Sequence, residues 1–112
     1  MEHMMRLHKG PFELIKNGSK TIELRLNDEK RQLINVGDEI TFESRDDGDK
    51  ITCEVIDLHK YPSFEELYKH FDKVSLGYKE DEEADSKDME QYYSREEQSK
   101  YGVVGIELRL IK

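Results

Sequence analysis

Apolar residues in this chain fall into short alternating runs separated by brief helical patches. His3, Met5 and Leu7 share one phase of a first strand spanning His3 to His8, with Met4, Arg6 and His8 in the other. Gly10-Pro11 breaks that run, and proline suits the first turn of a helix carried to Lys16 by Phe12, Leu14 and Ile15. Asn17-Gly18 ends this helix, since glycine commonly follows a helix C-terminus. Thr21 to Leu26 then alternates cleanly, with Ile22, Leu24 and Leu26 on one face and Thr21, Glu23 and Arg25 on the other.

Downstream the pattern stays strand-rich. Asn27 and Asp28 cap a single helical turn through Lys30, Arg31 and Leu33. Val36-Gly37-Asp38 turns the chain into a strand from Glu39 to Ser44 with Ile40 and Phe42 inward. Asp46-Asp47-Gly48-Asp49 marks a hairpin whose return strand runs from Lys50 to His59. The apolar phase of that strand moves from Ile51, Cys53 and Val55 to Ile56 and Leu58, which predicts a bulge. Pro62 ends it. Ser63-Phe64-Glu65-Glu66 reads as a capping box opening a helix to Phe71. An acidic loop follows from Leu76 to Lys87, then a short helix containing Met89, Tyr92 and Tyr93. A second capping box at Ser94-Arg95-Glu96-Glu97 opens the last helix, Gly102 stops it, and Val103 to Ile111 forms the final strand. This order predicts one α+β domain over residues 1–112: a small, partly closed β-barrel of five or six strands with short helices around it.

Charge narrows the functional classes. The net charge of -8 argues against a nonspecific polyanion binder, and no DNA partner is expected. The acid is concentrated between Glu80 and Glu97, whereas the N-terminal third is slightly basic, which leaves room for a local positive site. The acidic stretch reads as a solvated loop, or as a lid that keeps long polyanions out. The lone Cys53 lies in an apolar phase and reads as core filler. With no signal peptide or membrane-length apolar run, the expected compartment is the cytoplasm, with no membrane association. His3, His8, His59 and His70 show no metal-ligand spacing, so neither a metal nor another cofactor is expected.

One cluster stands out as candidate chemistry. Glu23 and Arg25 share a strand face roughly 7 Å apart, with Lys20 just before them after the pliable Gly18. A guanidinium fork, an ammonium and a carboxylate in one patch can hold a phosphate while reading a base edge. The same trio can also be surface decoration. Tyr92 and Tyr93 add a possible stacking platform, since neighbours on a short helix cannot both face the core.

Gly18-x-Lys20-x-x-Glu23-x-Arg25, followed by Gly37-Asp38 and a strand bearing Phe42, resembles the ASCH domain family over about Leu7 to Leu108. The resemblance implies a PUA-like barrel with a cleft that binds RNA or a nucleotide-like ligand. It makes Gly18, Lys20, Thr21, Glu23 and Arg25 its shaping and lining residues. It also raises an enzymatic alternative, because some relatives are ribonucleases and one is an N4-acetylcytidine amidohydrolase. That enzyme's lysine matches Lys20, but its threonine nucleophile falls at Glu23. A hydrolase here would therefore use Glu23 as general base, with Lys20 or Arg25 stabilising the oxyanion.

Overall fold

The computed structural model describes residues 1–111. Five strands make one curled, half-barrel sheet in the order β1-β3-β4-β5-β2. They are β1 (Glu2–Leu7), β2 (Ile22–Leu26), β3 (Glu39–Ser44), β4 (Lys50–Tyr61) and β5 (Val103–Leu110). The helices are α1 (Lys9–Lys16), α2 (Phe64–Tyr68) and α3 (Arg95–Tyr101), with 3-10 turns at Arg31–Leu33 and Ser86–Gln91. All pairings are antiparallel except β1 with β3, which run parallel. None of these helices is long and apolar enough to cross a membrane.

The predicted bulge is present and lies at Ile56. Ladder register jumps between Val55 and Asp57, so Leu58 turns back toward the core while Ile56 is exposed. Pairing continues beyond His59 to Tyr61, and Pro62 stops it. Two elements differ from the sequence pattern. Helix α2 ends at Tyr68 instead of Phe71, with the Lys69 and His70 amides closing its last turn on the Glu66 and Leu67 carbonyls. At its start only half of the expected capping box forms, the Ser63 hydroxyl accepting from the Glu66 amide. Tyr92 and Tyr93 follow a 3-10 turn instead of lying within a helix, and Asp85 caps that turn at the Lys87 amide. The Ser94–Glu97 capping box forms in full.

The sheet separates two apolar clusters. Its concave side packs Met5, Phe12, Ile40, Phe42, Cys53 and Val55 with Val104, Ile106 and Leu108. Cys53 is fully enclosed and its thiol is pushed up to about 11 by burial, which makes it inert filler. The convex side packs Ile22, Leu24 and Leu26 against Phe64, Leu67 and Leu76. At the crossing of β5 with α2, Gly105 leaves no room for a side chain: a Cβ there would meet Ile22 Cγ2 at 2.9 Å and Leu67 Cδ1 at 3.3 Å.

Candidate functional site in the barrel seam

The apolar face of β2 packs outward on the helices, so its charged face must point inward. Glu23 lies opposite Ile106 and Arg25 opposite Val104, and directly paired residues of antiparallel strands share a face. Both partners belong to the concave core. The trio that resembled a solvated edge in the sequence is therefore enclosed, with Lys20 8% and Glu23 4% exposed.

Strands β1 and β2 are the two free edges of the sheet, and the barrel is unclosed between them. Arg25 spans this seam, its Nη2 donating to the Arg6 carbonyl on β1 at 3.4 Å. Its Nε donates to Glu23 Oε2 at 2.7 Å, while the other carboxylate oxygen faces Lys20 Nζ at 3.4 Å. Glu23 is thus shared between two cations. Burial works to raise its pKa, but the charges of Lys20 and Arg25 and the Arg25 hydrogen bond outweigh it and hold the carboxyl below its usual range. Burial likewise opposes the charge of Arg25, and Glu23 overcomes it and raises the guanidinium pKa.

A cavity of about 530 Å³ opens along the seam. Lys20, Glu23 and Arg25 form its floor, and residues 76–93 build much of the opposite wall. That wall is pinned in place. Lys73 Nζ donates to the Glu80 and Glu82 carbonyls, both at 2.7 Å, and the Tyr78 hydroxyl lies 2.7 Å from Asp88 Oδ2 and 3.0 Å from the Tyr68 hydroxyl. Lys20 Nζ also donates to the Leu76 carbonyl at 3.2 Å. The cavity lining holds Arg6, Lys20, Arg25, Arg45 and Lys79 against Glu23, Glu82 and Asp88, a positive interior on an acidic chain.

Of the residues singled out in the sequence, Lys20, Glu23, Arg25, Tyr92 and Tyr93 meet in this cavity. Tyr93 stacks on Phe64 with ring centroids 5.8 Å apart, whereas Tyr92 is 59% exposed at the rim. Gly18 and Thr21 are not part of the lining. Gly18 adopts φ +87° just after α1, which lets the chain turn into β2. Thr21 contributes backbone only, donating to the Ser75 carbonyl and accepting from the Leu108 amide. Tyr78, one of the chain's six tyrosines, also lines the cavity, and so does Gly77, which the sequence pattern did not single out. Gly77 has φ +110°, and a Cβ on it would come within 3.1 Å of Lys20 Cδ. The available signal was Leu76-Gly77-Tyr78 itself, an apolar-glycine-aromatic triplet at the start of an acidic stretch.

Comparison with known proteins identifies the family and the fold. The ASCH domain matches residues 5–112, and the chain belongs to the ASCH domain family, which is PUA-like and associated with RNA binding. Its fold is similar to the crystal structure of the hypothetical protein PH0355, with a TM-score of 0.80 and 40% identity, covering 99% of this chain and all of that one. The solution structure of protein PF0455 from Pyrococcus furiosus is also similar, with a TM-score of 0.74 and 34% identity over 100% of this chain and 99% of that one. ASCH from Zymomonas mobilis shares the fold at 15% identity and a TM-score of 0.70, covering 96% of this chain and 66% of that one. No curated protein matches the chain.

Proposed function

We propose that the seam cavity binds one nucleotide or modified nucleoside, either free or at an unpaired position of an RNA. The observation that carries this reading is the convergence of Lys20, Glu23 and Arg25 behind a wall of tyrosines. After its bond to Glu23, Arg25 still has guanidinium N–H groups to offer a phosphate, and Lys20 has a further ammonium proton. Tyr92 at the rim presents a ring on which a base can stack. The volume lies within the range of about 300–1,000 Å³ usual for small-molecule sites. The acidic surface outside the cavity disfavours long polyanions and so selects short or single units. The RNA association of the family points the same way.

Hydrolysis of an acylated nucleoside or of RNA receives less support. Its general base would be Glu23, whose two oxygens already face cations and whose lowered pKa makes it a weak proton acceptor. One experiment tests both readings. The protein is titrated calorimetrically with nucleoside monophosphates, N4-acetylcytidine and a short single-stranded RNA, and each mixture is assayed for product. Saturable binding without turnover, lost in Lys20→Ala and Arg25→Ala variants that keep the wild-type circular dichroism, is the expected result. Product formation that vanishes in a folded Glu23→Gln variant would replace binding with hydrolysis, and no binding of any probe would overturn the proposal.

A further inference from the structure

The β4 bulge has a second effect on the convex side of the sheet, away from the seam. By adding Ile56 to the strand, it brings Asp57 opposite Glu107 of β5, with His59 two residues further along the same face. The ligating atoms of Asp57, His59 and Glu107 all lie within 4.8 Å of one another. His59 Nε2 is 2.8 Å from Glu107 Oε1 and 3.8 Å from Asp57 Oδ2. We propose that Asp57, His59 and Glu107 form a binding site for a divalent transition-metal ion.

Three observations support a site over a chance meeting of side chains. First, the ligands are oriented from outside the cluster. The backbone amide of Leu58 donates to Asp57 Oδ1 at 2.8 Å, which leaves Oδ2 to face His59, and the Phe71 ring packs edge-on against the imidazole with centroids 4.8 Å apart. Second, among the described residues no Lys or Arg pairs with any of the three; the neighbouring Arg109 is engaged by Glu54. Two carboxylates around one imidazole therefore keep an uncompensated negative charge. Third, the spacing suits an ion. Zn–N and Zn–O bonds near 2.1 Å place neighbouring ligand atoms roughly 3.4 Å apart, between the observed separations. Asp57 is exposed, which leaves its carboxylate room to approach a bound ion.

The donor set also restricts the ion. One imidazole and two carboxylates suit Zn²⁺ or Mn²⁺, and with equal ligands Zn²⁺ binds more tightly. When the imidazole proton sits on Nδ1, the Nε2 lone pair faces the carboxylates and can take the metal. Water completes the coordination on the open side. Sequence spacing could not reveal this set, because Glu107 lies on a different strand and its register depends on the bulge.

The test is calorimetric titration of the full chain with ZnCl₂ in a non-chelating buffer, alongside MnCl₂. Saturable binding of one Zn²⁺ per chain is expected, weakened at least about tenfold in His59→Ala and in Glu107→Gln and unchanged in His8→Ala. Weaker Mn²⁺ binding at the same site is the expected companion result. Circular dichroism verifies that each variant is folded; should His59→Ala unfold, Asp57→Asn on the exposed side supplies the same readout. An absence of saturable Zn²⁺ binding, or binding that survives both His59→Ala and Glu107→Gln, would overturn the proposal.

Discussion

Gly77 lies so close to Lys20 that a methyl group in place of its hydrogen would come within 3.1 Å of the lysine's Cδ and 3.3 Å of its Nζ. The glycine also has φ +110°, a conformation that side chains resist. Gly77→Ala should therefore strain the backbone by about 1–2 kcal/mol and push the ammonium out of line with Glu23. The expected outcome is a lower urea midpoint together with a loss of nucleotide affinity greater than that of Gly48→Ala, at a hairpin glycine remote from the cavity with a similar φ of +74°. Equal affinity in the two variants would show that Gly77 serves the fold alone.

Glu23 joins two cations in a nearly closed space, so its removal costs more than removal of either cation. Glu23→Gln should destabilise the domain by about 3–5 kcal/mol, the usual effect of leaving buried charge uncompensated. Lys20→Met should cost less, because Arg25 still satisfies the carboxylate. Chemical denaturation of both variants at neutral pH measures the difference.

Acid should act through Asp38 at the start of the sheet. Its carboxylate accepts from His3 Nε2 at 2.9 Å, the Asn35 amide at 2.9 Å and the chain's N-terminal ammonium at 3.3 Å. The His3 hydrogen bond first, then the Asn35 amide, lowers its pKa from 3.8 to about 2. A native pKa below the unfolded one means stability that is fully present above pH 3.8 and lost as pH falls toward 2. Asp38→Asn should flatten the stability profile across that window, and an unchanged acid limb in thermal melts would contradict it.

The adjacent tyrosines should separate in their effects. Tyr92→Ala removes an exposed ring and should alter stability by no more than about 0.5 kcal/mol, yet weaken ligand binding by about 1–3 kcal/mol if the ring stacks a base. Tyr93→Ala removes the partner of Phe64 and should lower the melting temperature. Paired calorimetry and thermal melts on the two variants decide it.

Much of this domain was legible from alternation and turn chemistry. The hairpin at Gly48, the bulge in β4 and the capping box at Ser94 all follow from local rules, and each is present. Which face of β2 turns inward was not legible. Ile22, Leu24 and Leu26 look like a core face, and they are one, but the core they enter lies on the convex side. That choice depends on α2 and Leu76, about 40–55 residues away, which no local period encodes. The enclosure of Lys20 and Glu23 was hidden for the same reason, and so was Gly77, whose role is set by a side chain more than 50 positions earlier.

Gly105 offers a stability test independent of the site. Gly105→Ala puts a methyl group 2.9 Å from Ile22 Cγ2, and the overpacking should cost about 1–3 kcal/mol. Gly10→Ala, with open space around it, should cost far less. Thermal melts of the two variants provide the comparison.

The missing pairing between β1 and β2 means that no strand ladder closes the seam. A closed barrel widens only by breaking rungs of a ladder, each with two partners to leave unsatisfied. Here the gap is spanned by a side chain, Arg25, held to the Arg6 carbonyl by a single long hydrogen bond. On the binding proposed above, a ligand phosphate would compete with the Arg6 carbonyl for that guanidinium, so taking up the ligand and loosening the seam would be one event.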